Sequence, residues 1–286
     1  MVDGVEPGSA EHPQSEEELA RRLADAAGAG LAVIPVGGGR LLGMGDPPER
    51  FDVALHTTRL AEITEQSSAD MTVSAQAGLT LERLNEELGK AGQFLPLDPF
   101  ASPGHTVGGL VATALSGPLR MRYGTARDFL IGLRVALPDG RLAASGGRVV
   151  KNVSGYDLNK LHLGALGSCG VVVAASFKVF PKPLHEVTVA SDGGWEDADR
   201  ALRLLLPPVA LELSSRGRVV ARLAGSEAGV KRTAAELGWG EVDPAFWTEH
   251  SSRASAAWAR IAAPPGRLRE VLGTLPVAAD WWASPG

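Results

Sequence analysis

Glycine placement constrains this chain more than any other feature. The sequence holds 35 glycines among 286 residues, above the average of roughly 7%. They gather in three clusters, each at a junction between regular elements: Gly37-Gly38-Gly39; Pro103-Gly104-His105-Thr106-Val107-Gly108-Gly109; and Gly164-Ala165-Leu166-Gly167-Ser168-Cys169-Gly170. Positions without a side chain let backbone N–H groups approach a ligand closely, often a phosphate. The first cluster directly follows an apolar run, residues 31–36, that reads as a buried strand. It matches neither common phosphate loop. With Gly37 and Gly39 as the first glycines of a dinucleotide fingerprint, Leu42 holds the third position; with Gly38 and Gly43 as a P-loop pair, Met44 stands where lysine belongs. Taken singly, a tight turn explains the first cluster equally well. A small-residue helix packed on a sheet explains the second, and a helix-to-strand turn the third.

Composition excludes several classes. With 44% hydrophobic and 21% charged residues the chain is globular and has material for an ample core. A net charge of −5 provides no global basic field, so nucleic acid is not an expected partner. Cys169 is the single cysteine: it cannot close an intrachain disulfide or supply the four thiolates of an iron–sulfur cluster, and no metal site is expected. Residues 1–18 are polar and acidic, without the basic and apolar regions of a signal peptide, and no apolar run is long enough to span a bilayer. The expected location is cytoplasmic, or peripheral at a membrane through partners.

The pattern predicts a disordered segment over 1–14, then alternating elements. Ser15 and Glu18 fit a capping box that starts a helix carrying Leu19, Leu23 and Ala26. Strands are predicted over 31–36, 51–56 and 71–77, and a helix capped by Thr80 follows. Further strands are predicted over 130–137 and 170–180, a short helix of small residues after Gly104, and a helix over 157–166. Pro181 and Pro183 mark a boundary. Beyond it, the order strand (187–190), helix (195–206), hairpin (209–213, 218–223), helix (226–237) and a strand near Glu241 is the ferredoxin-like pattern. A strand over 256–262 and a helix over 266–272 follow. Trp281 and Trp282 either cap a core or sit in a subunit contact, the contact being slightly favoured.

In order, the clusters are far more specific than any one of them. Pro35-Val-Gly-Gly-Gly39, Thr72-Val-Ser-Ala-Gln-Ala-Gly78, the second cluster, Tyr123-Gly-Thr-Ala-Arg-Asp128, Leu137-Pro-Asp-Gly140 and Gly167-Ser-Cys-Gly170-Val-Val together resemble the FAD-binding domain of the vanillyl-alcohol oxidase/p-cresol methylhydroxylase (PCMH) superfamily. Val150-Lys-Asn-Val-Ser-Gly-Tyr-Asp-Leu158 is similar to the corresponding run of the FAD-binding E subunits of glycolate oxidase (glycolate dehydrogenase). The resemblance implies an α+β fold: a two-subdomain PCMH-type FAD-binding domain over 15–183, then a short, incomplete ferredoxin-like cap over 184–286. It implies that Gly37, Gly38, Gly39, Arg40 and Leu41 hold the pyrophosphate. Pro103, Thr106, Val107, Gly108, Gly109, Thr113 and Gly117 would line the flavin and phosphates on the other side, and Gly167, Gly170 and Val172 would close on the ribityl or adenosine half. Arg40 stands in the first loop, where covalent members often carry histidine, so non-covalent FAD is expected. His105 is read as a hinge or polar contact; Tyr123, Arg127, Asp128, Tyr156 and Asp157 are read as mostly structural.

The same resemblance implies oxidation of a small 2-hydroxy acid within a multisubunit complex. Hydride would pass to the flavin, and electrons onward to an iron–sulfur subunit, beside a larger FAD-binding oxidase subunit. No residue is assigned as the catalytic acid or base. Two alternatives stay open: a non-catalytic, flavin-bearing or empty scaffold paired with a larger catalytic flavin subunit, and a self-sufficient flavoenzyme of another branch.

Overall fold

The computed structural model describes residues 2, 4–100, 103–147, 157–252, 261–276 and 279–285. They form two units: Met1–Leu115 with Thr125–Lys182, and Ser116–Gly124 with Pro183–Gly286. The stretch 116–124, expected inside the first domain, groups with the second because Leu119, Met121 and Tyr123 pack into that unit's cores.

The first unit carries two main sheets. Strands β1 (Ser9–Glu11), β2 (Val33–Val36) and β3 (Val53–His56) form a parallel sheet in the order β1-β3-β2. The expectation of disorder over 1–14 is thereby corrected at residues 9–11. Without β1, one edge of β3 would leave its polar groups unpaired; β1 takes up that edge, with the Ser9 N–H donating to the Asp52 carbonyl at 2.9 Å just beside it. Strands β4 (Ile63–Ser67), β5 (Thr72–Gln76), β6 (Gln93–Phe94), β7 (Leu130–Ala136), β8 (Leu142–Gly146), β9 (Val171–Lys178) and β10 (Phe180–Pro181) complete the unit. Five of them form an antiparallel sheet in the order β4-β5-β9-β7-β8, and β6 pairs with β10.

Helix Glu16–Gly28 starts where Ser15 accepts a hydrogen bond from the Glu18 N–H at 3.1 Å. Only half of the capping box forms, since the Glu18 carboxylate accepts from the Gln14 N–H instead. Leu19 and Leu23 of this helix pack with Leu55 and Leu60 near the parallel sheet and with Ala136, Val171 and Val173 of the antiparallel one, so one core joins the two sheets. The helix expected over 157–166 is a single turn, Asn159–His162. Gly164, Leu166 and Gly167 then all take positive φ, which no helix accommodates.

In the second unit, strands β11 (His185–Ser191), β12 (Ala210–Ser214), β13 (Val219–Gly225), β14 (Gly240–Glu241) and β15 (Trp282–Ala283) form an antiparallel sheet in the order β14-β11-β13-β12-β15. The first four, with helices Gly194–Leu202 and Glu227–Leu237, have the ferredoxin-like order. On one face Val189, Leu211, Leu213 and Leu223 pack with Ala198, Ala201, Val230 and Leu237. On the other face Ala210 and Val220 pack with Leu119 and with Trp247, which lies on helix Ala245–Ser252. Strand β15 adds outside β12, with Trp281 against the first cluster and Trp282 against the second. The tryptophans therefore cover cores of their own unit, against the slight preference for a subunit contact. The strand expected over 256–262 falls largely outside the described residues, as does the motif 150–156.

Candidate functional site

The candidate site is a cleft within the first unit, formed where the loop after β2 meets the turn before helix Val107–Thr113. Its sequence logic is steric. A β-carbon on Gly37 would lie 2.4 Å from Thr106 Oγ1, and one on Gly38 only 1.9 Å from the Gly104 carbonyl oxygen. Gly39 has φ of +67°, in the left-handed region. Three adjacent glycines are thus required by two separate causes, close backbone approach and turn geometry.

The opposing turn is pinned by its backbone. Leu81 N–H donates to the His105 carbonyl at 2.9 Å, Val107 N–H to the Leu79 carbonyl at 2.9 Å, and Gly108 N–H to the Ala77 carbonyl at 2.7 Å. Thr106 caps the helix by accepting from the Gly109 N–H at 3.2 Å, and the Thr113 hydroxyl donates to the Gly109 carbonyl at 2.8 Å. The loop 164–166 is tied to the same helix through Gly164 N–H to the Val111 carbonyl and Leu166 N–H to the Ala112 carbonyl, both at 2.9 Å. That tie brings Leu166 to the cleft wall.

The cleft encloses a cavity of about 140 Å³. Of the residues expected to hold the dinucleotide, Gly37, Gly38, Gly39, Arg40, Leu41, Thr106, Gly109 and Thr113 line it together. The others lie elsewhere. Pro103 is exposed just ahead of the turn. Val107 is fully buried under its helix, and Gly108 backs onto Ala77, where a β-carbon would come 2.9 Å from Ala77 Cβ. Gly167 packs on Pro35, behind the wall. Gly170 packs on Val135, and Val172 is buried in β9 opposite Val135. Gly117 belongs to the second unit.

Residues the sequence reading did not assign to the cofactor complete the wall: Ile34, Pro35, Leu42, Met44, Gly104, His105, Ala112 and Leu166. The apolar members lie in or near the glycine clusters, yet only the folded loop turns them inward. His105 is 2% exposed, and neither ring nitrogen meets a partner in hydrogen-bond geometry. Burial lowers its pKa below the usual 6.5; the nearby carbonyls of Gly109 and Phe100 and the Glu82 carboxylate oppose that shift. Glu82 also accepts from the Gly104 N–H at 3.3 Å. The stem of Arg40 crosses Gly104, with Cδ 3.6 Å from where a β-carbon would sit.

This arrangement fits a dinucleotide. Glycine backbone and a guanidinium suit a diphosphate, small residues leave room for close approach, and apolar side chains suit a planar ring.

Residues 9–146 match the family described as the FAD binding domain. Over that stretch the chain is similar to an FAD-binding family. It is 34% identical over 175 residues to the mitochondrial D-lactate dehydrogenase (cytochrome) of Arabidopsis thaliana, covering 61% of this chain and 30% of that protein. It is 32% identical over 191 residues to glycolate oxidase subunit GlcE of Escherichia coli, covering 65% of this chain and 55% of the relative. A D-lactate dehydrogenase of Archaeoglobus fulgidus is 33% identical over 190 residues, covering 65% and 42%. The chain therefore spans about a third to a half of the length of these relatives. The fold is shared with alkyldihydroxyacetonephosphate synthase, at a TM-score of 0.71 and 20% identity, covering 86% of this chain and 54% of that one. The PCMH-type α+β architecture expected from the glycine motifs is thus the one observed.

Proposed function

We propose that this chain is the FAD-binding subunit of a glycolate-type 2-hydroxy-acid oxidase or dehydrogenase complex, oxidising the hydroxyl-bearing carbon of its substrate. The observation that carries this reading is the cleft: a glycine loop and a pinned turn meet inside a domain whose relatives are named for glycolate and D-lactate oxidation. Bound FAD would supply the two-electron acceptor for such an oxidation. Gly37, Gly38 and Gly39 would present backbone to the diphosphate and Arg40 would offset its charge. Ile34, Leu42, Met44 and Leu166 would keep water from the cofactor. Binding is non-covalent in this proposal, since Arg40 occupies the loop where attachment by histidine would be expected. The single cysteine supports onward electron transfer to an iron–sulfur partner, alongside a larger flavin subunit.

One observation favours the scaffold reading. Among the described cleft-lining residues the only titratable side chains are Arg40 and His105, and the histidine is buried. The larger subunit would then perform the proton transfer. A single experiment separates the readings. The visible spectrum of the purified chain should show flavin, and heating should release FAD into the supernatant. Glycolate or D-lactate should bleach that flavin in the complex. Bleaching of the isolated chain would establish catalysis here, bleaching only of the partner's flavin would establish the scaffold role, and a colourless chain that FAD cannot reconstitute would overturn the cofactor assignment.

A further inference from the structure

We propose that His105 is a hydrogen-bond donor to the diphosphate of the bound dinucleotide, a contact that the ligand-free fold leaves unmade. The proposal rests on the FAD-binding reading above and gives a cofactor role to the one histidine of the second glycine cluster, which the sequence reads only as a hinge or polar contact.

Three observations carry it. First, His105 lines the cleft and is 2% exposed, while neither ring nitrogen has a partner in hydrogen-bond geometry. Burying such a group unpaired is costly, so a native fold that does it invites an explanation. Second, the ring cannot escape by moving its backbone, because the 105–108 segment is held to 77–81 by three main-chain hydrogen bonds. Third, its neighbour is Gly109, where a β-carbon would lie 3.5 Å from His105 Nε2, so no side chain at that position crowds the buried ring edge.

The surroundings select the anionic part of the ligand. Gly38 touches the turn that carries His105, and the stem of Arg40 crosses Gly104 beside it. Both belong to the glycine loop, where a diphosphate is expected. Glu82, the carboxylate that acts on the ring, is also the acceptor for the Gly104 N–H, so one of its oxygens is already engaged in holding the turn. The carbonyls of Gly109 and Phe100 lie near the ring without meeting either nitrogen in hydrogen-bond geometry, and a diphosphate oxygen would give an N–H of His105 an aligned acceptor. The same N–H facing the flavin ring would be a different contact, which the probes below distinguish.

The test uses the full chain stripped of FAD, titrated by fluorescence with FAD, with ADP-ribose (which keeps the diphosphate and lacks the flavin), and with riboflavin (which keeps the ring and lacks the diphosphate). His105→Leu should weaken FAD and ADP-ribose by about tenfold or more and leave riboflavin unchanged. His105→Gln, which keeps an N–H donor, should recover most of the loss. Ligand-free His105→Leu should melt higher than the wild type, because an unpaired polar group has been removed; a purely structural histidine would give the opposite shift. If His105→Leu does not fold, His105→Phe serves, being flat and without a polar atom. Unchanged FAD affinity in the apolar variant, or equal losses for ADP-ribose and riboflavin, overturns the proposal while the cofactor reading stands. A wild-type chain that binds neither FAD nor ADP-ribose overturns both.

Discussion

His105 also carries a pH signature that belongs to the single residue. Its pKa is held below 6.5 in the folded chain, mainly by burial. On acidification the unfolded chain takes up that proton first, so stability is lost as pH falls through 6.5 toward the folded value. One such group contributes at most about 1.4 kcal/mol per pH unit. The urea midpoint of the ligand-free chain should therefore fall between pH 7.5 and 5.5, and His105→Leu should make that fall shallower. His56 and His162, lowered chiefly by burial, leave a residual slope in the variant. Residue identity and position were legible in the sequence at this scale: the glycine triplet stood out before any fold was known. What made each glycine necessary was not, because the atoms that exclude a side chain at Gly38 come from Gly104, far away in the chain.

Secondary structure was most legible where a local signal starts it. Ser15, Thr80 and Ser226 each cap a helix through a side chain that accepts from the N–H three residues on; the sequence reading places caps at the first two and starts the third helix at Ser226 itself. Elements without such signals were missed. Strand β4 is a polar edge strand with no apolar alternation, β1 forms only because β3 offers an edge, and helix Ala245–Ser252 shows little amphipathic periodicity. That helix matters, since it carries His250 to within 3.5 Å of Glu212, a carboxylate 1% exposed that also accepts from the Ser284 hydroxyl. Strand β15 closes the same face. Trp282 lies 5.5 Å from Phe246 and 4.9 Å from His250, ring centre to ring centre. Trp282→Ala should cost roughly 2 kcal/mol, less than a fully buried tryptophan because the ring is only partly buried. Chemical denaturation followed by fluorescence checks this, and an unchanged midpoint would show that β15 adds nothing to the unit.

At the scale of the whole molecule, cofactor binding should act on one unit. The cleft is lined by first-unit residues alone, so FAD at a hundred times its Kd should add about 2.7 kcal/mol to that unit by mass action. Denaturation monitored by hydrogen exchange should show protection rising within 4–115 and 125–182 and not in the second unit. A uniform rise in both units would show that they unfold together. No helix among the described residues is long and apolar enough to cross a membrane.

The sequence by itself determined the class of this protein. Glycine clusters, caps and turn prolines are local devices, and their order along the chain already identified an FAD-binding architecture with a ferredoxin-like unit behind it. Tertiary structure decided which residues meet. It placed Gly117 in the other unit, withdrew Val107, Gly108, Gly170 and Val172 into packing, and brought His105, Met44 and Leu166 to the cleft wall. The reason is physical. A residue's backbone conformation is largely set by near neighbours, while its burial and the direction of its side chain depend on segments brought together only when the sheets and their helices share a core.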